Sequence, residues 1–171
     1  MKNKNENFFY LNLSSLVTGE VGDTKKEIIK EENLFTPNEI FNNIIADINF
    51  IRATNTIIAI GKICAKIKII CSRCNTEMTQ TIKSNFEEEY FLYNNDILGS
   101  HRGKKNFQPE DFIDREKNHL DKRNFLDLSF IFINSLYSEI SIAPRCTEDC
   151  KGICINCLKN LNYEKCLCKI S

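Results

Sequence analysis

Eight of the nine cysteines of this chain fall in four close pairs, Cys71-x2-Cys74, Cys146-x3-Cys150, Cys154-x2-Cys157 and Cys166-x-Cys168. Thiolates two or three residues apart point at one ion when the backbone between them turns tightly, and zinc takes four such ligands in a tetrahedron at about 2.3 Å. Two pairs therefore make one closed site. The eight residues between Cys157 and Cys166 include the turn-prone run Asn160-Leu161-Asn162, long enough to fold Cys154 and Cys157 back onto Cys166 and Cys168. Alternate residues of an extended segment face the same way, so Cys166 and Cys168 can ligate together with Leu167 turned outward, or one of them can sit just outside the ligand set. Cys71 and Cys74 would form a second site with Cys146 and Cys150 if the tail folds against the middle of the chain. Spacing thus predicts one zinc site and leaves a second open.

Other readings of the thiols are weaker. Buried unliganded cysteines have no reason to recur at ligand spacing. A thioredoxin-type pair needs a helix N-terminus in a βαβ unit to lower its pKa, and the surroundings of Arg73 do not supply one. Cys64 has no close partner and reads as a small strand residue.

A chain of 171 residues can bury roughly two thirds of its unfolded surface, so the cysteines are not needed in place of a core. Residues Met1 to Asn7 are polar and lead only into Phe8-Phe9-Tyr10, without the apolar core of a signal peptide. The most apolar stretch, Asn55 to Cys71, is interrupted by Lys62, Lys66 and Lys68, against a membrane span. We expect a soluble, cytoplasmic protein with no membrane partner, a setting in which paired cysteines signal metal before disulfides. Lys+Arg 23 balance Asp+Glu 23. That excludes a wholesale polyanion binder, so any nucleic-acid contact must come from local placement of charge.

The pattern along the chain predicts an α+β fold: an antiparallel β-meander or small barrel-like sheet with one or two helices and a C-terminal cysteine-rich tail. Phe8 to Val21 permits a short first strand, and Asp23 to Asn38, charged and polar, reads as a linker or surface loop. Ala46, Ile48 and Phe50 alternate with polar residues, Thr54-Asn55 offers a turn, and the run from Ile57 to Ile70 resumes as a strand, together a long hairpin. Its second arm puts Ile63, Ala65, Ile67 and Ile69 on one face and Lys62, Cys64, Lys66 and Lys68 on the other. A further strand carries Met78, Ile82, Phe86, Tyr90 and Leu92 on its apolar side. Residues 94–124, with Gly99, Gly103 and Pro109 among many charges, read as a flexible excursion. Asp127 is placed to cap a helix from Ser129 to about Glu139, with Leu128, Phe132, Leu136 and Ile140 at helical spacing, although Ser138 to Ile142 also suits a strand. The expected organisation is a core domain over 1–143 and a zinc-binding tail over 144–171.

The tail from Pro144 to Asn162, followed by Cys166-Leu167-Cys168, resembles the YceD family when taken with Cys71-Ser72-Arg73-Cys74 at a strand end and Leu126-Asp127-Leu128 before the helix. The likeness covers the chain in outline, its specific motifs lying at Gly61 to Cys74 and Asp127 to Cys168. It implies a role in synthesis, processing or stability of large-subunit (23S) ribosomal RNA during ribosome assembly. Its partners would be that RNA, a pre-ribosomal particle or ribosomal proteins. Some members lack most of the tail cysteines, which implies that metal supports local structure. One departure is Leu158, where the family usually has glycine after the cysteine.

Enzymatic motifs are absent. Both histidines, His101 and His119, lie in the polar excursion, and no nucleophile elbow, phosphate loop or deaminase signature occurs. Glu87-Glu88-Glu89 reads as a solvated face. Four thiolates also leave zinc no open position for water. Lys62, Lys66 and Lys68 on one strand face, with Arg73 beyond it, suit phosphate contacts that position RNA without reading sequence. The same cations would otherwise solubilise the strand and offset the formal charge of a Zn(Cys)4 centre. The expectation is a non-enzymatic, zinc-stabilised ribosomal RNA factor. Its rivals are a redox-responsive zinc protein with chaperone-like activity and a zinc-ribbon protein-interaction module.

Overall fold

The computed structural model describes residues 9–93 and 118–168. They begin with a three-residue strand, β1 (Tyr10–Asn12), and one helical turn, α1 (Ser14–Val17), and continue into four long strands, β2 (Thr24–Phe35), β3 (Ile40–Arg52), β4 (Thr56–Ile70) and β5 (Glu77–Phe91). After the undescribed stretch come β6 (Phe125–Asp127) and α2 (Ser129–Ser138). The long strands form an antiparallel meander in the order β2-β3-β4-β5, and β1 pairs with β6 in a separate ribbon. The fold is the expected α+β meander with two short helices, and β2 and β5 are not paired to each other, so the sheet is open.

Two local readings are corrected. The segment Asp23 to Asn38 is no linker, because Thr24–Phe35 forms a twelve-residue edge strand. It is paired on one side only, and its register sets Leu34 against Phe41 and Ile29 against Ala46 while Lys26 and Lys30 face out opposite Asn49 and Ile45. A strand with one solvated face and one free edge carries charge without losing ladder bonds, so its composition imitates a loop. The first strand, in turn, is confined to Tyr10–Asn12, because the Leu13 N–H turns away to the Asn124 carbonyl at 2.9 Å and the Val17 N–H closes onto the Leu13 carbonyl at 2.9 Å.

The β3–β4 hairpin follows the alternation. Ala46, Ile48, Phe50, Ile63, Ala65 and Ile67 are buried, whereas Lys62, Lys66 and Lys68 are exposed. Helix α2 lies across β4 and β5 and closes the core, with Leu128, Phe132 and Leu136 buried. Asp127 acts at its start: Oδ1 accepts the Ser129 N–H at 2.8 Å, offsetting one donor the helix leaves unpaired. The helix ends at Ser138, and Ser138 to Ile142 is not a strand. Residues 94–117 of the expected excursion lie outside the described residues. Residues 118–124 are packed: the Phe91 N–H reaches the Asn118 carbonyl at 2.8 Å, the Leu120 N–H reaches the Phe91 carbonyl at 3.0 Å, and Leu120 is buried. Among the described residues, no helix is long and apolar enough to cross a membrane.

Aromatic packing explains the one glycine inside the sheet. Phe132 meets Phe9 edge-on at 5.1 Å between ring centroids and Phe86 at 5.8 Å. Phe86 sits opposite Gly61 on the neighbouring strand, and a Cβ at Gly61 would stand 2.5 Å from the Phe86 ring and 3.0 Å from the Asp47 carbonyl oxygen. The missing side chain lets the ring fold over β4 to reach the helix. Gly61→Ala should therefore destabilise the protein by about 1–3 kcal/mol in denaturant unfolding, and Phe86→Leu should recover part of that loss in the double variant. Additive losses would show that the ring is not what excludes the methyl.

Candidate metal centres and the basic sheet face

The turn joining β4 to β5 is itself a thiol knuckle. The Asn75 N–H bonds to the Cys71 carbonyl at 3.0 Å, the Cys71 N–H bonds to the Thr76 carbonyl at 2.9 Å, and Asn75 takes a left-handed conformation with φ 56°. The tail repeats this geometry. The Leu158 N–H bonds to the Cys154 carbonyl and the Cys154 N–H to the Lys159 carbonyl, both at 2.9 Å, with Leu158 at φ 57°. In both places the fourth residue of Cys-x2-Cys is followed by one that reverses the chain, which is what brings two sulfurs to one side.

The structure gathers Cys71, Cys74, Cys146 and Cys150 into one group and Cys154, Cys157, Cys166 and Cys168 into another, with the four sulfurs of each within 4.8 Å of one another. Individual separations are 3.8 Å for Cys71–Cys150, 3.5 Å for Cys74–Cys146, 3.6 Å for Cys157–Cys166 and 3.3 Å for Cys154–Cys166. Four sulfurs around a tetrahedral zinc at about 2.3 Å would stand about 3.8 Å apart, so both tetrads have the dimensions of a metal site and need only slight expansion. Cys64 stays apart, half-buried on β4. Leu167 is turned out, 97% exposed, between its two cysteines.

The tetrads differ in burial. In the first, Cys71, Cys74 and Cys150 are buried, and the tail is tied to the knuckle by the Ser72 N–H and Oγ–H, both donating to the Pro144 carbonyl at 2.8 and 2.9 Å. Gly152 comes so close that a Cβ would lie 3.1 Å from the Arg73 carbonyl oxygen, at a φ of 76°. The second tetrad is peripheral, with Cys157 exposed. Both share one electrostatic pattern. Burial raises the Cys71 thiol, but backbone N–H groups of Arg73, Cys146 and Cys74 more than offset this and hold it at about 6. Cys154 is likewise lowered to about 6, chiefly by the N–H groups of Cys157 and Asn156. The partners are pushed up to about 12, Cys146 by its hydrogen bonds to Cys150 and Cys74, Cys168 by those to Cys166 and Cys157. The opening cysteine of each knuckle is thus poised as a thiolate, whereas Cys146 and Cys168 hold their protons until a metal displaces them.

Thr76, Asn160 and Asn162 were not singled out from sequence as site residues. Asn162 Nδ2 donates to Cys150 Sγ at 3.4 Å and to Asn160 Oδ1 at 2.9 Å, and Asn160 Nδ2 donates to Thr76 Oγ1 at 3.2 Å. The run Asn160-Leu161-Asn162 reads as a turn, and its polar reach is visible only when the tail is folded.

Lys62, Lys66 and Lys68 share the solvent face of β4, and Arg73 is exposed in the knuckle beyond its end. Cross-strand register adds Lys30 and Lys83 at the two ends of the row Lys30–Ile45–Cys64–Lys83, and Lys26 in the row of Asn49, Ile60 and Glu87. Lys26 and Lys30 escaped notice because β2 reads as a linker. Lys68 pairs with Glu77 at 3.2 Å, both exposed, and such a pair is weak. The acidic run has structural partners: Glu88 accepts from Asn118 at 2.6 Å, and Glu89 from the Thr56 hydroxyl at 2.6 Å.

A sheet closed at one end by two tetracysteine centres, with lysines across its open face, defines a small metal-binding-type β protein. The chain belongs to the YceD family, whose model, described as large ribosomal RNA subunit accumulation protein YceD, matches residues 60–171. It is 30% identical over 116 residues to the chloroplastic large ribosomal RNA subunit accumulation protein YCED homolog 1 of Arabidopsis thaliana, a stretch covering 60% of this chain and 36% of that relative. The chain therefore matches little more than a third of the relative's length. No solved structure matches.

At Leu158 the outer knuckle demands a left-handed backbone, φ 57°, that a side chain resists. A left-handed conformation costs a non-glycine residue about 1–2 kcal/mol, and the knuckle imposes it nonetheless. Leu158→Gly should make the second tetrad harder to strip with a chelator and stabilise the tail by up to about 1 kcal/mol, part of the gain being returned through the freer unfolded chain. Asn75→Gly should gain less, since asparagine tolerates this conformation. An unchanged or weaker second tetrad in Leu158→Gly would show that the turn carries no strain.

Proposed function

We propose that this protein is a non-enzymatic, zinc-stabilised factor in the accumulation of large-subunit ribosomal RNA, acting in the cytoplasm during ribosome assembly. The observation that carries this reading is the family match across residues 60–171, a span holding both tetrads and two of the four strands of the basic face. Four thiolates around each zinc leave no place for a reacting water, which supports a structural use of the metal: it would fix the tail against the end of the sheet. The lysines of the open face would meet phosphates without reading bases. Lys62, Lys66, Lys68 and Arg73 are the contacts we assign from the strand and the knuckle, and Lys26, Lys30 and Lys83 extend them across the sheet.

Crosslinking in cells should recover large-subunit precursor RNA or its particles, and deletion should lower mature large-subunit RNA. The triple variant Lys62→Glu, Lys66→Glu, Lys83→Glu should weaken binding to that RNA and lower the slope of log affinity against log salt by about 2–3. Recovery of neither RNA nor particle, with normal RNA levels after deletion, would overturn the proposal. A second reading, a zinc-ribbon module that binds protein alone, draws support from Ile155, Leu158, Tyr163 and Leu167, all exposed around the outer tetrad. Association with particles that is insensitive to salt and to the triple variant would favour it.

A further inference from the structure

We infer that the two tetracysteine centres are energetically coupled, and that Asn162 and Asn160 carry the coupling by letting the outer centre supply hydrogen-bond donors to the inner one. The inference rests on metal binding by both tetrads, as proposed above, and deepens it by assigning positioning residues to the inner site.

Asn160 and Asn162 both lie in the loop 158–165 that the outer tetrad closes, since Cys157 precedes it and Cys166 follows it. Their side chains nevertheless serve the inner tetrad. Asn162 uses all of its amide there: Nδ2 reaches Cys150 Sγ at 3.4 Å and Asn160 Oδ1 at 2.9 Å, while Oδ1 accepts the Lys151 N–H at 2.8 Å, next to Cys150. Asn160 Oδ1 accepts a further bond from the Asn162 N–H at 3.0 Å, and its Nδ2 donates to Thr76 Oγ1 at 3.2 Å. Thr76 Oγ1 in turn stands 3.2 Å from Cys74 Sγ. The Cys74 thiol donates to that oxygen, and once Cys74 is a metal-bound thiolate the Thr76 hydroxyl rotates to donate to the sulfur while still accepting from Asn160. The relay Cys74–Thr76–Asn160–Asn162–Cys150 therefore touches two ligands of the inner tetrad, one on each side. The Leu161 N–H, bonded to the Gly152 carbonyl at 2.9 Å, and the bridge between Ile153 and Asn160 pin the loop backbone beside that tetrad.

Donors to a ligating sulfur spread the excess negative charge of a four-thiolate centre, and losing one such outer partner typically costs 10–100-fold in metal affinity. Metal in the outer tetrad holds both ends of the loop and keeps the two asparagines in place. Without it the loop must be ordered at the expense of the inner site's own binding energy. Linkage is reciprocal, so metal in the inner tetrad strengthens the outer one by the same factor.

The test uses full-length protein loaded with zinc, challenged with graded chelator, and then alkylated so that mass spectrometry reports Cys71 and Cys74 separately from Cys154 and Cys157. Amide exchange across Ile57 to Ile70 confirms in each variant that the sheet is folded. The double variant Cys166→Ser, Cys168→Ser, which disables the outer tetrad, should weaken zinc at the inner tetrad at least tenfold. Asn162→Ala, with all eight ligands intact, should weaken the inner tetrad about 10–100-fold, and disabling the outer tetrad in that background should cost the inner one little more. Asn162→Asp, which keeps the acceptor for Lys151 but sets a carboxylate against Cys150, should weaken the inner tetrad at least as much as alanine. Inner-site affinity within twofold of wild type in either the outer-tetrad variant or Asn162→Ala overturns the coupling while leaving metal binding intact. Failure of zinc to protect either pair in the wild-type protein overturns the metal reading itself, and the coupling with it.

Discussion

The attachment of the tail to the turn between β4 and β5 is the constraint from which the rest follows. Cys71 and Cys74 belong to a hairpin that the hydrophobic core already holds, whereas Cys146 and Cys150 belong to a segment without a core of its own. A tail this short cannot bury enough apolar surface to fold alone. It is ordered because four sulfurs, the Ser72 bonds to Pro144 and the close approach of Gly152 to Arg73 join it to the sheet. The outer tetrad then builds on that anchored base and is the more exposed of the two, with Cys157 at the surface. The metal-type centres are graded from core to surface.

How much of this could be read from the chain alone depended on whether the physics was periodic. Strands β3 and β4 show in the sequence because one of their faces is buried over many residues, so apolar and polar positions alternate over Ala46 to Phe50 and over Lys62 to Lys68. Strand β2 does not, because at a sheet edge the inner positions include Lys25, Glu27 and Glu31, and nothing in their order distinguishes strand from loop. Helix α2 was legible from Leu128, Phe132 and Leu136, but α1 was not, since four residues are too few for a period. The pairing of cysteines was suggested by spacing, yet spacing alone cannot say that a turn and a tail meet. Asn160 and Asn162 were legible only as turn formers, because hydrogen bonds between side chains distant in sequence leave no periodic trace.

The open face of the sheet explains how a chain of zero formal net charge can offer a cationic surface. Lysines collect on the outer face toward the knuckle end of β4 and β5, and acids such as Glu87 and Glu89 collect toward the other end of β5. The separation gives the sheet a polarity along its strands, with the cationic end beside the metal-type centres. The tail beside that end carries both signs, Arg145, Lys151, Lys159 and Lys165 against Glu148, Asp149 and Glu164, with Lys159 3.7 Å from Glu164.

The pinning of Phe91 to Asn118 and Leu120 has a consequence for how the family can diverge. The residues that flank 94–117 are bonded to each other, the Phe91 N–H to the Asn118 carbonyl at 2.8 Å and the Leu120 N–H to the Phe91 carbonyl at 3.0 Å, so any connection between them is a loop whose closure the sheet itself secures. Doubling such a loop costs about 0.6 kcal/mol, less than a single ordinary core substitution. On chain-entropy grounds, a change of length between Tyr93 and Asn118 is therefore an inexpensive way to alter this protein without disturbing the pairing that closes it.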